Sequence, residues 1–247
     1  MTPTAADSSP TALLDGSPTA LLDGSRTALL AGATGLIGRA LLSLLQASPH
    51  YGHVHVLVRR ALPDPPGGSA AARTTFHTVD FAQLPQPLPA VDDVYIALGT
   101  TIKVAGSEAA FRRVDFDFVV NTARAARAAG ATRLAVVSAL GASATSRVFY
   151  SRVKGEMQDC VAQLGFDAVV IAQPSLLVGD RAALGQPTRA GEVWATRLLA
   201  PVLWLVPRGV RPIPALTVAG AMVTAMLAGV PGVQLLSSAR MQTAAAR

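Results

Sequence analysis

The sequence predicts an α/β protein in which a doubly wound, mostly parallel sheet of about six or seven strands carries helices on both faces. Two observations lead to this prediction. Short apolar runs alternate with longer stretches of helical periodicity, and a glycine-rich turn joins the first apolar run to the first helical stretch. The length of 247 residues and the hydrophobic content of 51% suit one such domain with a large core.

The glycine-rich turn has the features of a dinucleotide-binding turn. The first predicted strand, residues 28–31, leads into Gly32, Gly35 and Gly38, and leucines at helical spacing follow. The first glycine of such a turn allows a tight bend, the second lets amides approach a pyrophosphate, and the third lets the helix pack on the strand. The amides at the start of the helix also attract phosphates. The turn predicts cofactor contacts from Gly32, Thr34, Gly35, Leu36, Ile37 and Gly38.

Further strands are predicted at residues 53–58, 74–79, 93–97, 133–137 and 168–172, with a long helix at about residues 108–129. Carboxyl ends of parallel strands meet at one edge of a sheet, so the residues after each strand are candidate ligand contacts. Asp80 and Phe81 are expected near the adenine. The small residues after the fourth strand are expected near the pyrophosphate and the nicotinamide ribose: Leu98, Gly99, Thr100 and Thr101.

The end of the second predicted strand indicates which dinucleotide binds. Arg59 and Arg60 follow this strand, and Arg59 lies 21 residues after Gly38. An acidic residue here would bind the ribose of NAD, whereas arginine suits the 2′-phosphate of NADP. The sequence therefore favours NADP(H) over NAD(H).

Tyr150 and Lys154 lie four residues apart in a predicted helix and so share one helix face. An ammonium near a phenol stabilises the phenolate, which lets the tyrosine pass a proton to or from a carbonyl or alcohol. The ammonium can also bind the nicotinamide ribose. Ser138 ends the fifth predicted strand, 12 residues before Tyr150, and is placed to orient the substrate oxygen. The alternative, a surface lysine beside a core tyrosine, stays open.

Several segments match one known family: LLAGATGLIG at 29–38, DDVYIALGTT at 92–101, FYSRVKGE at 149–156 and PSLLVGDR at 174–181. Over roughly residues 26–240 the chain resembles the atypical short-chain dehydrogenase/reductases, most closely their Tat-interacting-protein-like (CC3-like) branch. The resemblance implies NADP(H) on a Rossmann fold. It also implies a catalytic set of Ser138, Tyr150 and Lys154, and a turn that closes over the nicotinamide end, formed by Pro174, Ser175 and Leu176.

The resemblance leaves two functions open. The first is an NADP(H)-dependent oxidoreductase that moves a hydride to or from a small-molecule carbonyl or alcohol, with a small C-terminal lobe from about residue 175 completing the cleft. The second is a non-catalytic NADP(H)-binding regulatory or scaffold protein, because the family includes such members. Other short-chain families often carry an asparagine on the fourth helix, where this chain has Val114 and Asp115.

Composition argues against other classes of function. The net charge is +6, but no run of Lys and Arg exceeds two and aromatic residues make up 5%, so nucleic-acid binding is not expected. The single cysteine, Cys160, excludes an intramolecular disulfide and a cysteine-based zinc site, and suits a reducing cytoplasm. His53 and His55 share a strand face without a carboxylate or cysteine cluster, so no metal site is expected. Residues 1–10 lack the features of a secretory signal.

Both ends of the chain have unusual composition. An octapeptide occurs three times in residues 9–32 (SPTALLDG, SPTALLDG, SRTALLAG), and the third copy alone continues into the glycine turn. Residues 1–24 are therefore predicted to be a duplicated, loosely ordered tail before a single domain at 25–240. The uncharged stretch 212–238 is predicted to contain a core helix beside the sheet. A less favoured alternative is membrane-surface contact through the nine apolar residues 198–206, which are too few to span a bilayer.

Overall fold

The computed structural model describes residues 26–61, 73–178 and 209–244. The strands are β1 Arg26–Ala31, β2 Tyr51–Val58, β3 Thr74–Thr78, β4 Asp93–Ile96, β5 Arg133–Val137, β6 Ala168–Gln173, β7 Leu177–Val178, β8 Ile213–Pro214 and β9 Gly232–Ser237. Seven of them form one sheet in the order β3-β2-β1-β4-β5-β6-β9, and each neighbouring pair in it is parallel. The six strands predicted from the sequence are all present, with ends shifted by at most two residues. The predicted tail at 1–24 lies outside the described residues.

The helices are α1 Leu36–Ala47, α2 Ile102–Ala105, α3 Glu108–Arg112, α4 Phe118–Ala128, α5 Phe149–Ala162, α6 Ala215–Ala228 and α7 Ser238–Ala244. A π-helical segment, Arg113–Asp117, connects α3 directly to α4. The long helix predicted at residues 108–129 is therefore confirmed, but it contains a π turn that the hydrophobic spacing did not predict. Such turns occur frequently at functional sites.

Helices cover both faces of the sheet, which confirms the doubly wound architecture. Ala28 and Leu30 of β1 pack in the cluster formed with α1 and α6, whereas Leu29 and Ala31 pack in the cluster formed with α4 and α5. All four of these residues are fully buried. Burial on both faces explains why the strands read as continuous apolar runs rather than as alternating patterns.

The uncharged C-terminal stretch contains a core helix, as the sequence predicted. Helix α6 packs on α1, and its buried face includes Val218, Ala219, Met222 and Met226, whereas Leu216 is 60% exposed. The same stretch also contains β9, which pairs with β6 and which the sequence analysis missed. None of the helices in the described part of the chain is both long and apolar enough to cross a membrane. Residues 198–206 lie outside that part.

The amino-terminal edge of the sheet holds a buried polar network. Asp93, fully buried on β4, accepts hydrogen bonds from Arg26 Nε at 3.0 Å and from the Tyr51 hydroxyl at 2.6 Å. The Tyr51 and Tyr95 hydroxyl oxygens lie 2.8 Å apart. Burial, together with Tyr95 and Asp93, raises the pKa of Tyr51, and burial also raises the pKa of Tyr95. Both phenols therefore stay protonated.

Three histidines lie together on the outer strands β2 and β3. His55 Nδ1 is 3.0 Å from His77 Nε2, and His53 Nε2 is 2.9 Å from Thr75 Oγ1. Partial burial, together with His53 and His77, lowers the pKa of His55 to about 4. Partial burial and His53 also lower the pKa of His77. Among the described residues, no group of three or more potential ligands is arranged to hold a metal ion.

Candidate functional site

The segments that the sequence analysis singled out follow strands β1 to β6. Because these strands are parallel, their carboxyl ends lie at one edge of the sheet, opposite the tyrosine network. A cleft at this edge is where doubly wound sheets bind ligands. The side chains at the edge nevertheless differ in whether a ligand could reach them.

The turn between β1 and α1 is shaped so that a side chain would not fit at two of its glycines. Gly32 has a φ of +96°, and a Cβ there would lie 2.5 Å from the carbonyl atoms of Ala97. A Cβ on Gly38 would lie 1.9 Å from the Gly32 oxygen. The Gly35 amide donates to that oxygen at 3.0 Å, and the first turn of α1 carries neither a side-chain cap nor an acidic residue. The first-turn amides are thus available to an anionic ligand, so the turn fits a dinucleotide pyrophosphate.

Within this turn the predicted contacts are either exposed or part of the core. Thr34 is exposed, and Leu36 at the start of α1 is half-buried. Ile37 packs in the core cluster beneath α1. Of the six residues predicted to contact the cofactor here, Ile37 and Gly38 could therefore contribute through their backbone amides rather than through side chains.

Lys154 forms a buried ion pair with an aspartate that the sequence analysis had not assigned to the site. Lys154 Nζ lies 2.8 Å from Asp115 Oδ1, and their side chains are 5% and 1% exposed. Asp115 Oδ2 accepts a hydrogen bond from the Thr100 amide at 2.9 Å. The ion pair thus connects α5, the π turn and the residues after β4. The segment after β4 also includes Leu98, Gly99 and Thr101. The Thr101 hydroxyl caps the start of α2.

Tyr150 is the second residue of α5 and lies one turn before Lys154. It is half-buried, and its ring packs against Phe111 with ring centroids 5.3 Å apart. No residue within the described ranges hydrogen-bonds its hydroxyl. The phenol is thus available for a ligand, on the same helix face as the Lys154 ammonium.

Ser138 is less accessible than the sequence analysis expected. It is 4% exposed, and Gln158 Nε2 donates to its Oγ at 2.5 Å. Gln173 Nε2 in turn donates to Gln158 Oε1 at 3.1 Å. The hydroxyl expected to orient a substrate is therefore buried and bound by Gln158, on the helix that carries Tyr150.

The residues expected near the adenine are divided between surface and core. Asp80 is exposed, and its carboxylate accepts a hydrogen bond from the Ala82 amide at 2.8 Å. Phe81 is 2% exposed and packs on Phe118, with ring centroids 5.9 Å apart. Its apolar ring packs in the core between the sheet and α4, so a contact of Phe81 with an adenine would be made by its backbone rather than by its ring.

The turn after β6 connects the sheet to the C-terminal segment. Ser175 Oγ donates to the Arg211 carbonyl at 2.5 Å and lies 2.8 Å from Ser238 Oγ. Pro174 is buried, and Leu176 is 42% exposed and accepts the Ile213 amide at its carbonyl. The side chain of Ser175 is thus engaged in holding the chain together at this edge.

Arg59 and Arg60 directly follow β2, and both are exposed. Neither forms an ion pair with another residue in the described part of the chain. Their charges are therefore available to an anionic group at the carboxyl end of β2.

Gly155, another residue that the sequence analysis missed, lets α5 approach the loop that precedes it. A Cβ at this position would lie 2.1 Å from the Ala144 amide nitrogen. The Ser143 amide donates to the Ser151 carbonyl at 3.0 Å, which holds the same loop against the start of α5. A glycine inside a helix, directly after the lysine, was the available signal.

Comparisons with known proteins agree with this geometry. A family model described as NAD(P)H-binding matches residues 32–190. The mitochondrial FMP52 protein of Candida albicans is 34% identical over 152 residues, which is 60% of this chain and 66% of that protein. The mitochondrial FMP52 protein of Lodderomyces elongisporus is 30% identical over 187 residues, 71% of this chain and 76% of that protein. The match to the Candida protein thus spans slightly less than two thirds of its length.

Solved structures share the fold at low sequence identity. The ADP-L-glycero-D-manno-heptose-6-epimerase of Helicobacter pylori has a TM-score of 0.64 at 16% identity, covering 89% of this chain and 78% of that one. MoeE5 in complex with UDP-glucose and NAD has a TM-score of 0.63 at 15% identity, covering 85% and 75%. These similarities establish the Rossmann-like fold.

The relatives also correct one expectation. The cytoplasmic location predicted from the cysteine content is wrong on this comparison, because the names of the fungal relatives place those proteins in mitochondria. A chain with a single cysteine is compatible with more than one cellular compartment. The cysteine content therefore could not distinguish the cytoplasm from the mitochondrion. The family match covers most of the sheet and the whole glycine turn, and the chain belongs to the NAD(P)H-binding family of Rossmann-fold proteins.

Proposed function

We propose that this protein is an NADP(H)-dependent oxidoreductase of the atypical short-chain type that transfers a hydride between the nicotinamide and a carbonyl or alcohol. One observation carries the proposal. Tyr150 has a hydroxyl without a partner among the described residues, and it shares a helix face with a buried lysine at the carboxyl edge of the sheet. This arrangement suits proton transfer to a substrate oxygen.

Each part of the reaction is assigned to a group at the carboxyl edge of the sheet. The nicotinamide supplies or accepts the hydride when the cofactor is bound. The first-turn amides of α1 hold the pyrophosphate. In carbonyl reduction Tyr150 gives its proton to the oxygen of the carbonyl whose carbon receives the hydride, and the Lys154 ammonium stabilises the phenolate that remains. Lys154 also donates a hydrogen bond to the nicotinamide ribose.

The preference for NADP(H) is supported by the exposed pair after β2. Arg59 and Arg60 have no carboxylate partner in the described part of the chain, so a 2′-phosphate can accept charge-assisted hydrogen bonds from them. Titration of NADPH and NADH by nucleotide fluorescence tests this preference. A screen of aldehydes, ketones and sugar nucleotides for absorbance change at the nicotinamide band then tests turnover. Sugar nucleotides are included because the structural neighbour MoeE5 binds UDP-glucose.

Replacing Tyr150 by phenylalanine tests the role of the phenol. Tyr150→Phe keeps the ring on Phe111 but removes the proton donor, so we expect turnover to fall by at least about 100-fold. The dissociation constant for NADPH should change less than about twofold, because the pyrophosphate amides are untouched. Steady-state rates and fluorescence titration measure the two quantities. Turnover equal to that of the parent protein would remove Tyr150 from the mechanism.

A non-catalytic NADP(H)-binding regulatory or scaffold protein is the second candidate. The position of Ser138 favours it, because the hydroxyl expected to orient a substrate is buried and bound by Gln158. The resemblance to the Tat-interacting-protein-like branch points the same way. This candidate predicts NADPH binding, no NADPH oxidation with any member of the carbonyl panel, and a protein partner whose binding requires the glycines of the β1–α1 turn.

A further inference from the structure

One carboxylate connects three elements around the proposed nicotinamide end of the cleft. Asp115 lies in the π turn, its Oδ1 is 2.8 Å from Lys154 Nζ on α5, and its Oδ2 accepts the Thr100 amide after β4. Within the described residues, Asp115 Oδ1 has no hydrogen bond besides this ion pair. A buried ammonium without a counter-charge is strongly unfavourable, so the position of Lys154 depends on this one side chain.

The ion pair lies directly beneath the exposed backbone of Gly99, at the carboxyl edge of the sheet. A Cβ on Gly99, which is exposed, would lie 3.2 Å from Asp115 Oδ1 and 3.8 Å from Lys154 Nζ. The missing side chain at Gly99 therefore leaves about the space of one methyl group between the cleft and the ammonium. A ribose placed over Gly99 and Thr100 would approach Lys154 at the point where Asp115 holds it.

We propose that Asp115 is a positioning residue for the nicotinamide half of the cofactor, acting through Lys154 rather than by contact. The inference rests on the proposed binding of NADP(H). A free lysine side chain samples many rotamers, and fixing it in advance removes that entropy from the cost of binding. The carboxylate also fixes the backbone of the turn after β4. An asparagine at position 115 could still accept the hydrogen bond from the Thr100 backbone N–H, but it would no longer balance the charge of the Lys154 ammonium.

The test compares the whole cofactor with its adenosine end. Asp115→Asn is titrated with NADPH and with adenosine 2′,5′-bisphosphate, which lacks the nicotinamide and its ribose. We expect NADPH to bind at least about tenfold more weakly, because a charged hydrogen-bond partner of Lys154 is lost. Binding of the bisphosphate should change less than about twofold, since its contacts lie near Arg59 and α1. Asp117→Asn, an exposed position of the same helical segment, removes the same charge and should leave both affinities unchanged.

A second pair of variants covers the case in which Asp115→Asn does not fold. Lys154→Met removes the ammonium, and adding Asp115→Asn to it removes the carboxylate without leaving a buried charge unpaired. If Asp115 acts through Lys154, the single and the double variant bind NADPH with equal affinity.

Three results would overturn the inference while leaving the proposed function intact. Equal weakening of NADPH and bisphosphate by Asp115→Asn indicates a general structural role, and unchanged NADPH binding indicates no role. A further loss of NADPH binding on adding Asp115→Asn to Lys154→Met indicates a route other than Lys154. A parent protein that binds neither ligand would instead overturn the proposed function and the inference together.

Discussion

Two of the three tyrosines are held in the core through their hydroxyls, and Tyr150 is the third. Tyr51 and Tyr95 are at most 1% exposed, and burial raises the pKa of both. Neither can exchange a proton with a ligand. Tyr150, which the sequence analysis selected from its spacing to Lys154, is therefore also the one tyrosine outside the polar network at the opposite edge.

The proposed preference for NADP(H) depends on single residues after β2. Arg59→Ala should raise the dissociation constant for NADPH by about tenfold, because one charge-assisted hydrogen bond to the 2′-phosphate is lost. NADH, which lacks that phosphate, should bind as before. Fluorescence titration of both nucleotides measures the ratio. Arg124→Ala, an exposed position on α4 that removes the same charge, serves as the control, and equal weakening of NADH would argue against this role of Arg59.

At the scale of elements, the position of α5 depends on Gly155. A Cβ there would lie 2.1 Å from Ala144 N, so Gly155→Ala should push the helix away from its preceding loop and lower the free energy of unfolding by about 1–3 kcal/mol. Gly220→Ala is the matched control, because no atom beyond the backbone of its own helix lies within 4 Å of its Cβ position in α6. That variant should be about 0.5–1 kcal/mol more stable than the parent. Urea unfolding measures both. Similar effects of the two substitutions would contradict the close contact.

The histidines on β2 and β3 predict how stability depends on pH. His55 and His77 have lowered pKa values when folded, whereas in the unfolded chain they titrate near the ordinary value of 6.5. Below pH 6.5 the unfolded chain therefore binds more protons, and stability falls as the pH decreases from 6.5 towards 4. Melting temperatures across this range measure the fall. It should be shallower in His55→Phe, and an unaltered slope in that variant would place the dependence elsewhere.

Most elements could be predicted from the sequence because their own residues determine them. The glycine turn, β1 to β6 and the long helix are marked by local apolar spacing and by glycines at fixed intervals. Strand β9 was missed because Val233 and Leu235 are exposed at the sheet edge, so the strand lacks a buried apolar run. Its pairing partner, β6, also lies far away in the sequence. The two-residue strands β7 and β8 are defined only by their pairing with each other, which local sequence does not reveal.

The position of the candidate site could be predicted from the sequence, but the bonds between its side chains could not. Parallel strands place their carboxyl ends together, which located the edge from the sequence. The partners of the side chains depend on tertiary distances. Spacing alone related Lys154 to Tyr150, whereas a π turn brings Asp115 to within 2.8 Å of it. Ser138 was placed correctly at the end of β5, but Gln158 binds it from the next helix.

At the scale of the whole molecule, stabilising and binding features lie at opposite edges of one sheet. Tyr51→Phe removes hydroxyl contacts to Asp93 and Tyr95 at the amino edge, so it should lower the free energy of unfolding by about 1–3 kcal/mol. The cleft residues are untouched, and NADPH affinity should stay within about twofold. Chemical unfolding and nucleotide titration measure the two effects. A parallel loss of affinity would show that the edges are coupled.

The strand order has a consequence for synthesis of the protein. The nucleotide turn and the first five strands of the chain pair among themselves, but one side of β6 stays bare until α6 and Gly232–Ser237 leave the ribosome. During that interval the apolar sequence AVVIAQ presents unpaired backbone groups to any neighbouring nascent chain. Pairing of β9 with β6 thus ends the period in which this strand is open to self-association.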